Sequence, residues 1–464
     1  MPPITDHVNI AANVRPSWKP EYPLANDRRA IWCPLYGLDT YDKIFTPRQL
    51  VALTTFSDLV REARERVLED ALAAGLEDDR RGLEEGGKGA QAYAEAIATY
   101  LSFAVDRLVE SCCGLARWQS TGDKVAGAFS RQALPMIWDF AEVNPFSSST
   151  RNFLDAVEWV SEVIEGLPAS SIGTAKKLDA TLSINGVSLP IVSTDPPYYD
   201  NIGYADLSDF FYIWLRRSVG DIYPSLFRTV LVPKEGELVA TPYRFGGDKD
   251  KAREFFEDGM RKTFEHIREK AHPDYPVTIY YAYKQSEEDG AEDGVLLRAS
   301  RGWEAMLTAA INAGLQITGT WPMRTERSGR MLAIGTNALA SSVVLVCRGR
   351  PSDAPEATRR EFLGALRREL PGRLRELQRG NIAPVDLAQA AIGPGMAVFS
   401  RYSQVLEADG SRMSVREALR IINGVLDEVL NEQEWEYDGD TRWAVAWYEA
   451  YGYEEQAYGE ADVL

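Results

Sequence analysis

The stretch PIVSTDPPYYDNIGY, residues 190–204, decides how the chain is read. An apolar run ends at Asp195, two prolines follow it, and two tyrosines follow the prolines. In open α/β sheets, ligands sit beyond the carboxyl ends of the strands, and Asp195 stands at such an end. Pro196 and Pro197 have a fixed φ and no backbone N–H, so their carbonyls are held in place. An aspartate oxygen beside a fixed carbonyl makes a close pair of acceptors. That pair suits an amine with two hydrogens, and Tyr198 offers a flat face for a nucleobase. The exocyclic amine of adenine or cytosine is a poor nucleophile because its lone pair is delocalised into the ring. Two acceptors that take its hydrogens draw the nitrogen towards tetrahedral geometry and localise the lone pair. Methyl transfer from a sulfonium donor then gains from positioning and electrostatics. The base must leave its duplex to reach such a pocket, and stacking offsets part of that cost. The plain alternative is that residues 195–198 are only a turn. The β-rich run before them and the α/β pattern after them favour the amine-binding reading.

Downstream the pattern alternates. DLSDFFYIWLRRSVG reads as helix, as does 251–271. PVTIYYAYK is a strand, WEAMLTAAINAGL a helix ending at Gly314, and LQITGTWPMRTE and SSVVLVCRG are two strands joined as a hairpin. Such alternation predicts an α/β layer with a largely parallel sheet over 186–350. Upstream, residues 1–45 are aperiodic and read as an extended arm. Thr46 is a plausible N-cap and Pro47 suits the first position of a long helix. A second long helix is expected over about 90–118, and further helix over 131–165, broken at NPFSSST. After 350 come the charged helix 351–379, AIGPGMAVFSRY as loop or short strand, and the helix VREALRIINGVLDEVLN. The expected regions are 1–185 (arm and helices), 186–350 (catalytic, with the motif) and 351–464 (helices and acidic tail).

A chain of 464 residues suggests two or three domains, or one large domain with additions. With 45% hydrophobic and 26% charged residues its composition is that of a globular protein. No apolar stretch is long enough to span a bilayer, and the N-terminus does not read as a signal peptide. A cytoplasmic location and no membrane partner are therefore expected. Four cysteines without a CxxC pair, and three histidines, argue against a disulfide framework and a zinc site. The net charge of -18 argues against a lone nucleic-acid binder. Half of that charge lies in 431–464, where ten Asp or Glu face one Arg, a balance of -9. A solvated tail is the simpler account of it.

The residues 195–198, Asp-Pro-Pro-Tyr, resemble the fourth motif of the amino-group DNA methyltransferases. More specifically, the chain is similar to a family of large bacterial and archaeal adenine-specific DNA methylases that often contain a zinc ribbon. The stretches that carry the likeness are RPSWKPEYPLANDRRAIWCPLYG, IFTPRQLVALTTFSDLV, STDPPYYDNIGYADLSDFFYIWLRR, GTNALASSVVLVCR and AIGPGMAVFSRY. By this resemblance Asp195, Pro196 and Tyr198 bind the target amine and base, and Pro197 shapes the turn. The motif follows the fourth strand of a Rossmann-like methyltransferase sheet, so the later strands are the fifth to seventh. The implied fold is a partial sheet, strands four to seven, with large helical additions on both sides. The implied activity is S-adenosylmethionine-dependent methylation of DNA, at adenine N6 in preference to cytosine N4.

The chain departs from the family in one respect. A glycine-rich loop after a first strand, which brings backbone close to S-adenosylmethionine, has no counterpart. FGG at 245–247, EEGGKG at 84–89, IGPG at 392–395 and DFAEVNPF at 139–146 all lack its context. The zinc-ribbon cysteines are missing too. The chain thus looks like the C-terminal half of such a methylase, with a second subunit expected to bring the cofactor loop. The rival expectation is a catalytically inactive scaffold or DNA-binding subunit of a defence or restriction-modification complex.

Tyr199, Asp200, Asn201 and Tyr204 are candidates to line the base pocket, with a hydrogen-bonded loop as the other reading. Lys284, just past the strand PVTIYYAY, is a candidate for contact with DNA or cofactor. Arg324, Arg327 and Arg330 are candidates for phosphate contact, or for a solvated turn. Asn337 reads as structural. Phe210, Phe211 and Trp214 have core spacing, Trp435, Trp443 and Trp447 read as anchors of the tail, and His266 has no evident partner.

Overall fold

A computed structural model describes residues 4–168, 173–184, 188–199, 202–282, 301–324, 341–379, 384–434, 443–444 and 447–448. In chain order the elements are α1 (Thr5–Asn13), α2 (Pro47–Ala73), α3 (Ala90–Ser111), β1 (Arg117–Gln119), β2 (Lys124–Ala126), α4 (Phe153–Gly166) and β3 (Ser193–Thr194). Then come α5 (Tyr204–Val219), α6 (Lys249–Lys270), β4 (Val277–Ala282), α7 (Arg301–Asn312), β5 (Leu315–Arg324) and β6 (Ser341–Gly349). The last are β7 (Ala357–Thr358), α8 (Arg359–Arg379), α9 (Pro384–Ser400), β8 (Val405–Leu406) and α10 (Val415–Glu434). The class is mixed α/β, dominated by helix, with small sheets. Two compact units form, each from two pieces of chain: 1–177 with 201–249, and 178–200 with 250–464. This division cuts across the three regions drawn from the sequence. The helix after the motif packs with α2 and α3, while after 350 α9 packs on the four-stranded sheet and α8 and α10 pack on α9.

The first unit is helical. Thr46 and Gln49 form a reciprocal capping box and Pro47 opens α2, which satisfies orphan N–H groups at its start. Leu50, Leu53, Phe56 and Val60 of α2 are buried, and α3 packs along it. Ala94, Ala98 and Ala104 of α3 are buried, and such small side chains permit a close approach. Helix α3 stops before the expected 118. At Gly114 the chain turns so that its N–H donates to the Ile44 carbonyl at 2.7 Å, where a Cβ would lie 3.0 Å from that oxygen. Phe210 and Trp214 of α5 are fully buried in this core, as their spacing suggests, with Phe211 packed against it. The aperiodic N-terminal segment contributes Leu24, Ile31, Tyr41 and Ile44 to the same core. It also holds α1, none of whose residues is buried. Of the helix expected over 131–165, only α4 forms.

The second unit is built on a four-stranded sheet of order β3-β4-β6-β5. β3 is parallel to β4, and β6 runs antiparallel to both β4 and β5. Three strands therefore point one way and β6 runs against them, closing the expected hairpin with β5. β3 keeps only two residues of the longer run expected. Pro190 has no N–H for a ladder and Leu189 sits at φ +52°, so pairing starts late. The ladder also ends early. Val192 accepts from the Thr278 N–H at 3.0 Å, which puts alternate residues 192, 194 and 196 on the β4 side, and Pro196 has no N–H to continue. The stretch 391–400, expected as loop or short strand, is the end of α9. Pro394 lies inside that helix. Gly393 and Gly395 have no room for a Cβ against Thr320 and Ile422, so the helix lies close on β5 and α10. That packing outweighs the helix-breaking character of Gly-Pro-Gly.

Candidate functional site

β3, β4 and β5 end at one edge of the sheet, and Asp195 is the first residue past β3. Its side chain is exposed. Among the described residues no donor reaches its carboxylate or the Pro196 carbonyl. The protein around the carboxylate desolvates it enough to raise its pKa from the ordinary aspartate value. Pro196 is buried and Pro197 half-buried, so the rigid pair fixes the turn from below while the acid stays in reach of solvent.

The two tyrosines diverge. Tyr198 meets Tyr281 edge-on, with ring centroids 5.5 Å apart at 82°. Tyr281, on β4, is 3% exposed and lies against Trp303 of α7 at 5.5 Å. Tyr199 turns to Phe256 of α6, 5.2 Å away at 80°. Gly302, at the start of α7, makes this possible. A Cβ there would come within 2.9 Å of the Tyr199 Cβ and 3.0 Å of the Tyr281 hydroxyl. A half-buried Tyr198 thus borders the exposed Asp195, backed by the buried pair Tyr281 and Trp303. Tyr199 serves as an anchor rather than as a second open face.

Tyr204 is 47% exposed and opens α5 in the first unit. Asp200, Asn201, Lys284, Arg327, Arg330, Asn337 and Trp435 lie outside the described residues, as does the side chain of Arg324. Trp443 and Trp447 stack on each other at 5.3 Å. His266 does have a partner, the Thr181 carbonyl 3.0 Å from its Nε2. That contact arises because 178–184 belongs to the second unit, which local sequence does not signal. The four cysteines are buried and unpaired. Among the described residues no group of metal-ligating side chains converges, and no helix is long and apolar enough to cross a membrane.

In the first unit, residues soon after the motif carry a polar network that the sequence reading missed. The Asp206 carboxylate, 2% exposed, receives Arg244 at 2.8 Å and the Tyr243 hydroxyl. Arg244 also reaches Glu237 at 2.7 Å, and Glu237 accepts the Ala205 N–H at the start of α5. Asp209, with a fully buried side chain, pairs with Lys234 at 2.7 Å and accepts the Val232 N–H. Burial raises its pKa, against the opposing pull of Lys234. These contacts tie residues 232–244 to α5. A spacing signal existed, since Asp206 and Asp209 share one helix face, but their partners lie more than twenty residues away.

The residues available do not fit S-adenosylmethionine. Gly393 and Gly395 are packed inside α9. Gly246 and Gly247 follow a turn of 3-10 helix, and 84–89 lies in the loop between α2 and α3. Among the described residues the only strands before β3 are the three-residue pair β1 and β2. Among the described residues no glycine cluster therefore opens from a strand end.

A family model described as a domain of unknown function (DUF8807) matches residues 438–464. No curated protein and no solved structure matches the chain.

Proposed function

We propose that this chain is the target-base half of an S-adenosylmethionine-dependent DNA amino-methyltransferase, with adenine N6 as its preferred site. The observation that carries this reading is the Asp195 carboxylate. It stands exposed and without a described partner at the end of β3, on a buried proline and beside a tyrosine face. In this role the carboxylate and the Pro196 carbonyl accept the two amine hydrogens, and Tyr198 stacks on the extruded base. The raised pKa of Asp195 fits a carboxylate that gains by accepting hydrogen bonds where water is thinned. The strand order β3-β4-β6-β5 supports the reading too. On this reading the sheet is a partial Rossmann-like one in which β3 is assigned as the motif-bearing fourth strand, β4 as the fifth, and the β5–β6 hairpin as the last two.

The methyl donor is assigned to a second subunit, because the described residues offer no glycine-rich loop at a strand end for it. The same lack favours the second reading, an inactive scaffold or DNA-binding subunit. Transfer of labelled methyl groups to duplex DNA, by this chain together with the product of the adjacent reading frame, separates the two. Transfer that Asp195→Ala abolishes upholds the first. Transfer that survives it removes the motif from the chemistry, and no transfer leaves the scaffold reading standing.

A further inference from the structure

The first unit has a cleft of about 290 Å³ near the C-terminal end of α5, lined by Trp18, Tyr22, Arg61, Arg216, Arg217 and Phe227 among others. Three guanidiniums meet there in a protein whose net charge is -18. Only Arg217 has a carboxylate partner, Asp58 at 2.6 Å. Its guanidinium also lies 4.7 Å above the Trp18 ring, and its buried Nε has no hydrogen-bond partner. Arg61 donates to the Arg217 carbonyl and Arg216 to the Phe227 carbonyl at 3.3 Å. Neither has an ion pair among the described residues. Three positive charges and one negative leave an excess of two.

Part of this arrangement serves the helix. Cations are favourable at the C-terminal end of α5, and Arg61 satisfies one of its last carbonyls. Arg61 and Arg216 each give one hydrogen bond to a backbone carbonyl and Arg217 one to Asp58, of the five N–H donors on each guanidinium. All three line the cleft, and their excess charge suits an occupant that is anionic and rich in acceptors. Arginine forks match the tetrahedral oxygens of phosphate. Trp18 is already covered by Arg217, so a stacked base is not what the cleft selects. We propose that this cleft binds a phosphate ester, held by Arg61, Arg216 and Arg217. The site does not depend on the methyl-transfer reading, and its test needs no catalysis.

Two probes separate the possible sources of the phosphate: a short fluorescein-labelled DNA duplex and adenosine monophosphate. Both are titrated against the full chain and its R61Q/R216Q variant, with thermal midpoints measured alongside. Loss of a charged hydrogen bond weakens binding by about tenfold per arginine. A weaker duplex complex, whose salt dependence also falls by about two counter-ions, assigns the cleft to the nucleic-acid backbone. Weaker binding of the monophosphate alone keeps the site and makes a free phosphate ester its ligand. If R61Q/R216Q does not fold, Val230→Asp replaces it. Val230 lines the same cleft and is 49% exposed, so it adds a repelling carboxylate without removing a contact. A wild-type chain that binds neither probe, or folded variants that bind both unchanged, overturns the proposal.

Discussion

Asp195 and Asp209 lie fourteen positions apart, and the protein treats them in opposite ways. Asp195 ends β3 exposed, without a described partner. Asp209 has no exposed side-chain surface and is held by Lys234 and the Val232 N–H, as nearby Asp206 is held by Arg244 and Tyr243. A buried charge must be paired and hydrogen-bonded; Asp209 meets that demand through both oxygens, and Asp206 through Oδ2, with its Oδ1 buried and unpartnered. Asp195 leaves its acceptor capacity open at a rigid turn. The contrast teaches that residue type says little here, and that solvation and pairing separate an acid used by the fold from one left for a ligand.

The largest effect is expected where the pairing is broken. Arg244→Met strands Asp206 and Glu237, and should cost about 3–5 kcal/mol of stability, read from a shifted denaturation midpoint. A midpoint equal to wild type would show that the network is not structural. Asp195→Ala should do the reverse, leaving the midpoint no lower than wild type while, on the proposed function, methyl transfer by the assembled enzyme falls by about 10²–10³-fold. Gly302→Ala should sit between the two. Its Cβ forces Tyr199 aside, which as overpacking costs about 1–3 kcal/mol and also lowers transfer, because Tyr198 adjoins the displaced residue. Unchanged stability would mean that the close approach at Gly302 is not needed. Thr46→Ala should lower stability by about 1 kcal/mol through loss of the cap, with transfer unaffected.

The smallest effect is one of pH. Burial raises the folded pKa of Asp195, so its ionised form is disfavoured in the folded state. That cost is fully present above the raised value and vanishes below the ordinary aspartate value of about 3.9. Asp195→Asn should therefore flatten a shallow gain in stability as pH falls through that window. An identical pH profile for wild type and variant would show that the carboxylate is fully solvated.

Local features of sequence read through to the structure. Thr46 and Pro47 announce α2, Gly314 announces the end of α7, and the strands flanking 325–340 announce the hairpin, because each signal lies within a few residues. The turn at 195–198 was legible for the same reason, since proline geometry is intrinsic. What failed depended on distant partners. The Gly-Pro-Gly of α9 is helical because Thr320 and Ile422 leave space for nothing larger. β3 is short because of what flanks it and where β4 lies. Tyr281, Gly302 and Trp303 back the motif only because the sheet brings them there, and no spacing in the sequence reports it.

One further consequence comes from the hairpin. Arg324 and Ser341 are paired at its loop end, on the side where β3 and β4 also finish. Gly302 begins α7 beside Tyr199 and Tyr281. The described residues that flank 283–300 and 325–340 therefore lie at the rim that carries Asp195. Lengthening a connection costs little, about 0.6 kcal/mol per doubling, and leaves strand register untouched. On the proposed function, grip and reach are thus separable: the pairing that places Asp195 is set by β3 and β4, whatever the length of chain beyond the strand ends.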